Sequence, residues 1–308
     1  MTNWTLQTIA KQDGAQLSLR TLSPSEPPKA IVQINHGMAE HCARYERFAK
    51  VLVTNGYAVI AHDHRGHGLT KASEAALGHF GSKGALSAVL SDISFIQSHG
   101  RSLWPDAPLV SFGHSMGSIL AFAHAVKNPK KMDGLALWNS GVDTGPLAAV
   151  YGSILRFQKM FLGSDVPSGI AKKLTFDTWN KVFAPNRTEF DWLSRDEAEV
   201  DAYVSDPLCG FPVTIGLWLE VLDAIYIAAD NKNLGDLPKA LPVHLVGGLQ
   251  DPCSEQGKAV ERIHTRMKAQ GMSDVTLTLL PDTRHESLNE SNRDQTMADF
   301  IAWLDAHT

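Results

Sequence analysis

The chain has 308 residues, 44% of them hydrophobic and 20% charged, which is enough apolar material for one large core. Its formal net charge of −5 supplies no basic field for nucleic acid or anionic lipid. Three cysteines (Cys42, Cys209, Cys253) read as too few and too scattered for a disulfide framework or a zinc site, and no run approaches the ~18 apolar residues a membrane span needs.

The first residues, from Met1 to Gln7, have neither a cationic start nor an apolar stretch, so no leader is expected and the chain reads as cytoplasmic. Residues 4–9 and 16–22 alternate loosely around Gln12-Asp13-Gly14, which predicts a hairpin. Pro24, Pro27 and Pro28 then break the chain before a buried strand at 30–35. From 44 to 55, Phe48, Val51 and Leu52 share one helical face, with Gly56 as the stop. A strand at 57–61 runs into His62-Asp63-His64-Arg65-Gly66-His67-Gly68. Leu86, Val89, Leu90, Ile93 and Ile96 mark a long amphipathic helix before Pro105. Leu109, Val110 and Phe112 then form a strand, Ser118 to Val126 a buried helix, and 134–138 another strand.

From 143 to 237 strand-like runs vanish, and helical and loop stretches carry Trp179, Trp192 and Trp218. Residues 242–246 restore the strand pattern. A helix at 254–270, a strand at 275–280 and a helix marked by Met297, Phe300, Ile301 and Leu304 complete the chain. Strands alternating with helices predict an α/β fold, with a mainly parallel eight-stranded sheet flanked by helices. The core domain is expected at 1–142 and 238–308, with 143–237 as a helical cap over the C-terminal edge of the sheet.

Between the strand ending near Phe112 and the following helix lies Gly113-His114-Ser115-Met116-Gly117, a G-x-S-x-G pattern in strand–turn–helix context. Such a turn lifts the serine hydroxyl above the sheet at a helix N-terminus, and Gly113 and Gly117 allow strand and helix to approach closely. A serine nucleophile needs a base, and the base an orienting carboxylate. Asp251 and His285 each follow a predicted strand by a short loop, and the order Ser115, Asp251, His285 suits a triad on an open α/β sheet. Asp282 sits on the same loop as His285 and reads as a turn residue; Asp223 reads as a solvated helix face. His114 reads as a packing residue.

The oxyanion turn is expected after residue 35, at His36-Gly37-Met38-Ala39-Glu40-His41, with the backbone N–H groups of Met38 and Met116 as the donor pair. Glu40 and Arg44, four apart, would brace that turn as an ion pair; the bland alternative is a surface couple of small worth. The histidines of 62–67 fit either hydrogen-bonded turn residues or, less well, a metal site.

Taken together, His36-Gly37-Met38-Ala39-Glu40-His41, Arg44-Tyr45, Asp63-His64-Arg65-Gly66-His67-Gly68, Gly113-His114-Ser115-Met116-Gly117, Ser205-Asp206-Pro207-Leu208 and His285-Glu286-Ser287-Leu288-Asn289-Glu290 resemble the monoacylglycerol lipase and bacterial lysophospholipase branch of the α/β-hydrolase superfamily. The resemblance covers nearly the whole chain. It implies an α/β-hydrolase fold and a Ser-His-Asp carboxylic-ester hydrolase with an apolar cap, no cofactor and no metal. Its partner would be a small amphiphilic ester, with transient membrane-surface contact through the cap. The sequence departs from that branch at Met38-Ala39, where smaller residues such as Ala-Gly are common, so a bulky Met38 would narrow the alcohol pocket. A thioesterase, a short-chain carboxylesterase or a peptidase on the same fold is the enzymatic alternative, and a non-catalytic ligand-binding protein is the alternative of another class. Of the insertion's apolar residues (Leu147, Ile154, Leu155, Phe157, Met160, Phe161, Phe211, Leu217, Trp218), most would pack the cap itself and some would face the substrate.

Overall fold

An antiparallel hairpin opens the fold, with β1 (Thr5–Ala10) and β2 (Gln16–Leu22) joined through Gly14 at φ 84°. The computed structural model describes residues 4–82 and 84–308; residues 1–3, within the stretch read for a leader, lie outside them. Next come β3 (Ile31–Asn35), α1 (Glu46–Thr54), β4 (Ala58–His62), α2 (Ala85–Leu103), β5 (Leu109–His114), α3 (Met116–Lys127) and β6 (Gly134–Trp138). Six helices then intervene before the next strand: α4 (Pro146–Leu162), α5 (Gly169–Leu174), α6 (Phe176–Lys181), α7 (Glu197–Ser205), α8 (Ile215–Ala229) and α9 (Asn231–Gly235). The chain closes with β7 (Val243–Gly248), α10 (Lys258–Ala269), β8 (Val275–Leu280) and α11 (Arg293–His307).

The eight strands form one sheet in the order β1-β2-β4-β3-β5-β6-β7-β8. β2 pairs antiparallel with β1 and β4, and every pair from β4 to β8 is parallel. The central strands β3, β4, β5, β6 and β7 are buried at every residue, so they are mostly apolar on both faces, with polar residues such as Gln33, Asn35 and Ser111 buried among them. One face packs against α1 and α11 through Phe48, Leu52, Phe300 and Leu304. The other packs against α2, α3 and α10, where Ile93, Leu120 and Ile263 belong to one cluster. Parallel order sends the loops after β3, β5, β7 and β8 to one edge of the sheet, where crevices form.

Two predicted helices begin later than expected. The 44–55 helix starts at Glu46, after a 3-10 turn over Cys42–Tyr45. The 254–270 helix starts at Lys258, because Glu255, Gln256 and Gly257 stand at φ 53°, 56° and 84°. There the chain wraps back on Asp251, whose carbonyl accepts from Gln256 N–H at 2.8 Å. Among the described residues, no helix is long and apolar enough to cross a membrane.

The segment carrying α4 to α9 divides its apolar residues three ways. Leu155 and Leu217 are fully buried, and α8 shares its cluster with α3. Phe211 and Trp218 line a cavity over Ser115. Leu147, Phe157, Met160 and Phe161 of α4 point outward, with Leu147 85% exposed and Phe161 66%. That outward face corrects the expectation that insertion residues either pack the cap or face the substrate.

Candidate active site

Ser115 stands at the junction of β5 and α3 with φ 54° and ψ −122°, a conformation few non-glycine residues adopt. Its N–H donates to Trp138 O at 2.9 Å, which anchors the turn on the neighbouring strand. The flanking glycines are required by space. A Cβ on Gly117 would lie 2.1 Å from Asn35 O, and one on Gly113 would lie 2.4 Å from Gly117 O. The hydroxyl is thereby held at the N-terminus of α3, where unpaired helix N–H groups favour negative charge.

Three predicted residues from separate loops meet here. His285 Nε2 lies 2.8 Å from Ser115 Oγ, and His285 Nδ1 lies 3.0 Å from Asp251 Oδ1. An imidazole protonated at Nδ1 donates to the carboxylate and leaves Nε2 free to accept the serine proton. Asp251 and His285 are 0% and 2% exposed. Burial alone would raise the Asp251 carboxyl, but the adjacent His285 and the Cys253 N–H, 2.9 Å from Oδ1, hold it below the ordinary aspartate value. Asp282 lies away from this group and accepts from Gln250 Nε2 at 3.1 Å; Asp223 is exposed on α8.

The predicted oxyanion turn folds against Ser115. A Cβ on Gly37 would meet Glu40 Oε1 at 2.7 Å, so a larger residue there would have to displace the Glu40 carboxylate. Met38, Ser115 and Met116 line one cavity together. Ala39 has φ 55°, and its carbonyl accepts from Gly210 N–H at 2.9 Å and Tyr203 Oη at 2.8 Å, both from the insertion. His36 Nδ1 donates to Gly37 O at 2.8 Å while Nε2 accepts from His64 N–H at 3.0 Å, tying this turn to the histidine run. In that run Asp63 accepts from Cys42 and Leu69 N–H, both at 2.9 Å, and Arg65 pairs with Asp92 and Asp13. Asp63 and Arg65 therefore brace turns, whereas among the described residues neither ring nitrogen of His62 or of His64 has a hydrogen-bond partner, so those two histidines do not serve as hydrogen-bonded turn residues.

Glu40 and Arg44 form a buried network and not a surface couple. Arg44 reaches Glu40 Oε2 at 2.6 Å and grips Glu286 through both oxygens at 2.6 and 2.8 Å. Glu40 Oε1 also accepts from Gly37 N–H at 2.6 Å and Tyr45 Oη at 2.9 Å. Burial pushes both glutamates up; the Arg44 guanidinium reverses this and holds both below the ordinary range.

Sequence reasoning missed four contributors. His114 does not pack into the strand: its Nε2 lies 3.0 Å from His285 O and its Nδ1 3.5 Å from Glu40 Oε1. Glu286 was signalled only by following His285. Trp192 and Leu193, from the insertion, accept from the His285 and Glu286 N–H groups at 3.4 and 2.7 Å, and the Trp192 ring centroid lies 4.7 Å from that of His285.

Ser115 opens into two cavities of about 180 and 270 Å³. Met38, Phe176 and Trp218 border both, so these side chains form the wall between them. Glu40, His114 and Glu286 close the polar end of the smaller one, and Trp192, Phe211 and Val213 make the rest of it apolar.

Residues 26–292 match the family model described as "Serine aminopeptidase, S33". The chain is 31% identical to the monoglyceride lipase of Mus musculus over 279 residues, covering 90% of this chain and 82% of that one. It is 26% identical to the monoacylglycerol lipase of Mycolicibacterium smegmatis over 306 residues, covering 96% and 94%. A thermostable carboxyl esterase from Bacillus coagulans, solved in complex with glycerol, shares the fold with a TM-score of 0.89 at 24% identity, covering 100% of this chain and 99% of that one.

Proposed function

The chain belongs to the serine aminopeptidase S33 family of hydrolases, and from that membership we propose that it is a serine carboxylic-ester hydrolase acting on monoacyl esters of the monoacylglycerol type. Resemblance to monoglyceride lipases along nearly the full chain supports the substrate class. The observation that carries the chemistry is the hydrogen-bonded series Ser115–His285–Asp251 on the floor of an apolar cavity.

In this proposal Ser115 Oγ attacks the ester carbonyl while His285 Nε2 takes its proton. Asp251 stabilises the imidazolium that results, and the Met38 and Met116 N–H groups receive the oxyanion. The imidazolium then protonates the departing alcohol. Water, deprotonated by the same His285, releases the acyl group from Ser115. Glu40 and Arg44 keep the oxyanion turn in register, His36 and Gly37 supply its backbone shape, and Gly113 and Gly117 give the turn that carries Ser115 its close strand–helix approach.

The division into a core at 1–142 and 238–308 and a cap at 143–237 is part of the proposal, as is a cytoplasmic setting, which fits three free thiols. The outward face of α4, with Leu147, Phe157, Met160 and Phe161, supports transient contact with a lipid surface. Each methylene buried along the cavity wall contributes about 0.8 kcal/mol, so kcat/KM should climb severalfold per carbon until the cavity is filled. Turnover of monoacylglycerols of increasing chain length tests this. A steady fall from acetate upward, with no monoacylglycerol cleaved, would make the protein a short-chain esterase. Absence of labelling by a fluorophosphonate would make it a binding protein.

A further inference from the structure

A second convergence of metal-ligating side chains lies beside the site but outside it. His41 follows Glu40 in the oxyanion turn, and its Nε2 lies 2.8 Å from Asp206 Oδ2. The Cys209 sulfur completes a group in which the ligand atoms all lie within 4.8 Å of one another. His41 comes from the core; Asp206 and Cys209 come from the turn that ends α7 in the insertion. The backbone of this seam is fixed. Cys209 N–H donates to Asp206 O at 3.0 Å, and Gly210 N–H reaches across to Ala39 O. His41 and Cys209 are buried, while Asp206 is partly open and gives an approach from solvent.

We propose that His41, Asp206 and Cys209 form a binding site for a divalent transition-metal ion of the zinc type. One imidazole nitrogen, one carboxylate oxygen and one thiolate suit Zn²⁺, with water in a fourth position. Hard cations such as Mg²⁺ and Ca²⁺ prefer all-oxygen sets and are disfavoured here. On binding, the His41–Asp206 hydrogen bond is replaced by two metal–ligand bonds, with the ring proton carried on Nδ1. The Cys209 thiol releases its proton to solvent and the sulfur binds as thiolate, so one bound ion expels one proton from this residue. Burial pushes that thiol up and Arg44 pulls it the other way.

A metal here would tie the insertion to the oxyanion turn one residue from Glu40, which lines the smaller cavity. Slowed turnover on metal binding is the expected consequence. That consequence rests on the hydrolase proposal; the binding itself does not.

The experiment titrates the full-length, metal-free protein with Co²⁺ and follows its thiolate-to-metal charge-transfer and visible bands, then displaces Co²⁺ with Zn²⁺. One equivalent should bind, with the charge-transfer band absent in Cys209→Ser. Asp206→Asn keeps an acceptor for the Leu208 N–H that supports the turn and should weaken Zn²⁺ by about tenfold or more. Cys253→Ser is the comparison, because Asp251, Cys253 and His285 also converge. Absence of the band in the wild-type protein, or a band that survives Cys209→Ser and disappears in Cys253→Ser, overturns the site. Zn²⁺ should slow ester turnover in wild type and not in Cys209→Ser. Binding at Cys209 without any change in turnover overturns the coupling alone, and no ester turnover in any variant speaks against the hydrolase proposal while the binding result stands.

Discussion

Replacing Arg44 with Met removes the guanidinium that Glu40 and Glu286 share, while keeping a side chain of similar length. Both glutamates are buried, at 3% and 5% exposed, and both accept directly from the Arg44 guanidinium. Removing one partner of a buried ion pair generally costs about 3–5 kcal/mol, because the remaining charge is stranded out of water. For a chain of this length about 2 °C of Tm accompanies each kcal/mol, so a loss of roughly 6–10 °C is expected at pH 8.

The pH dependence separates this account from simple loss of packing. In the wild type both carboxyls are held low, so the stability they contribute is complete above the unfolded glutamate value of about 4.3 and is lost only as pH falls through the lower folded values. Without Arg44, burial and mutual repulsion hold them above that value. The penalty is then largest at high pH and relaxes as pH falls toward 5, where protonation is easier in the folded state. Thermal unfolding of wild type and Arg44→Met between pH 8 and pH 5 should therefore show a Tm deficit that narrows on acidification. Adding Glu286→Gln should recover part of the deficit at pH 8, because one stranded charge is removed. A deficit below about 2 °C at pH 8, or one that does not change with pH, would refute the reasoning.

Ser115→Ala should fold normally and lose about 10⁴-fold or more in ester turnover, measured on a medium-chain monoacylglycerol; residual activity above about 1% points to another nucleophile. Asp251→Asn should leave KM nearly unchanged and collapse kcat, and a greater effect of Asp282→Asn would reverse the choice of acid. Gly117→Ala places a Cβ 2.1 Å from Asn35 O and should lower stability by about 1–3 kcal/mol or more, read by urea unfolding; a neutral result would contradict the tight strand–helix approach. Cys253, whose thiol is pushed up by burial and by Asp251, should react slowly with maleimide near neutral pH and faster at pH 9. Rapid inhibition at pH 7 that persists in Cys253→Ala would assign the effect to another thiol.

The elements that sequence made legible are those whose signals are local. Strands β3 to β7 are short runs rich in Val, Ile, Leu and Ala, and the tight turn at Ser115 forces glycine at 113 and 117. Asp251 and His285 could be located because loops after parallel strands share one edge, and the structure brings Asp251 into hydrogen-bonding contact with His285, and His285 with Ser115. Contacts over long sequence separation left no such trace. Glu286 and Arg44 are 242 residues apart, and nothing in either neighbourhood announces the pair. His114 looked like a packing residue because its partner is a backbone carbonyl 171 residues away, which has no side-chain signature. The direction of the α4 apolar face was hidden for a related reason: amphipathic spacing marks a stripe but not what the stripe meets.

The carbonyls of Trp192 and Leu193, which hold the backbone of His285 and Glu286, bear on how interchangeable the inserted segment is. A graft that exchanged 143–237 for a shorter linker, in search of a broader substrate range, would remove two of the backbone acceptors that hold the histidine loop. It would also remove the indole against which the imidazole rests. Specificity and proton transfer are thus engineered through one piece of chain. Chimaeras that retain 190–195 and vary α4 and α5 preserve the histidine's support, whereas those that cut inside 190–195 lose it.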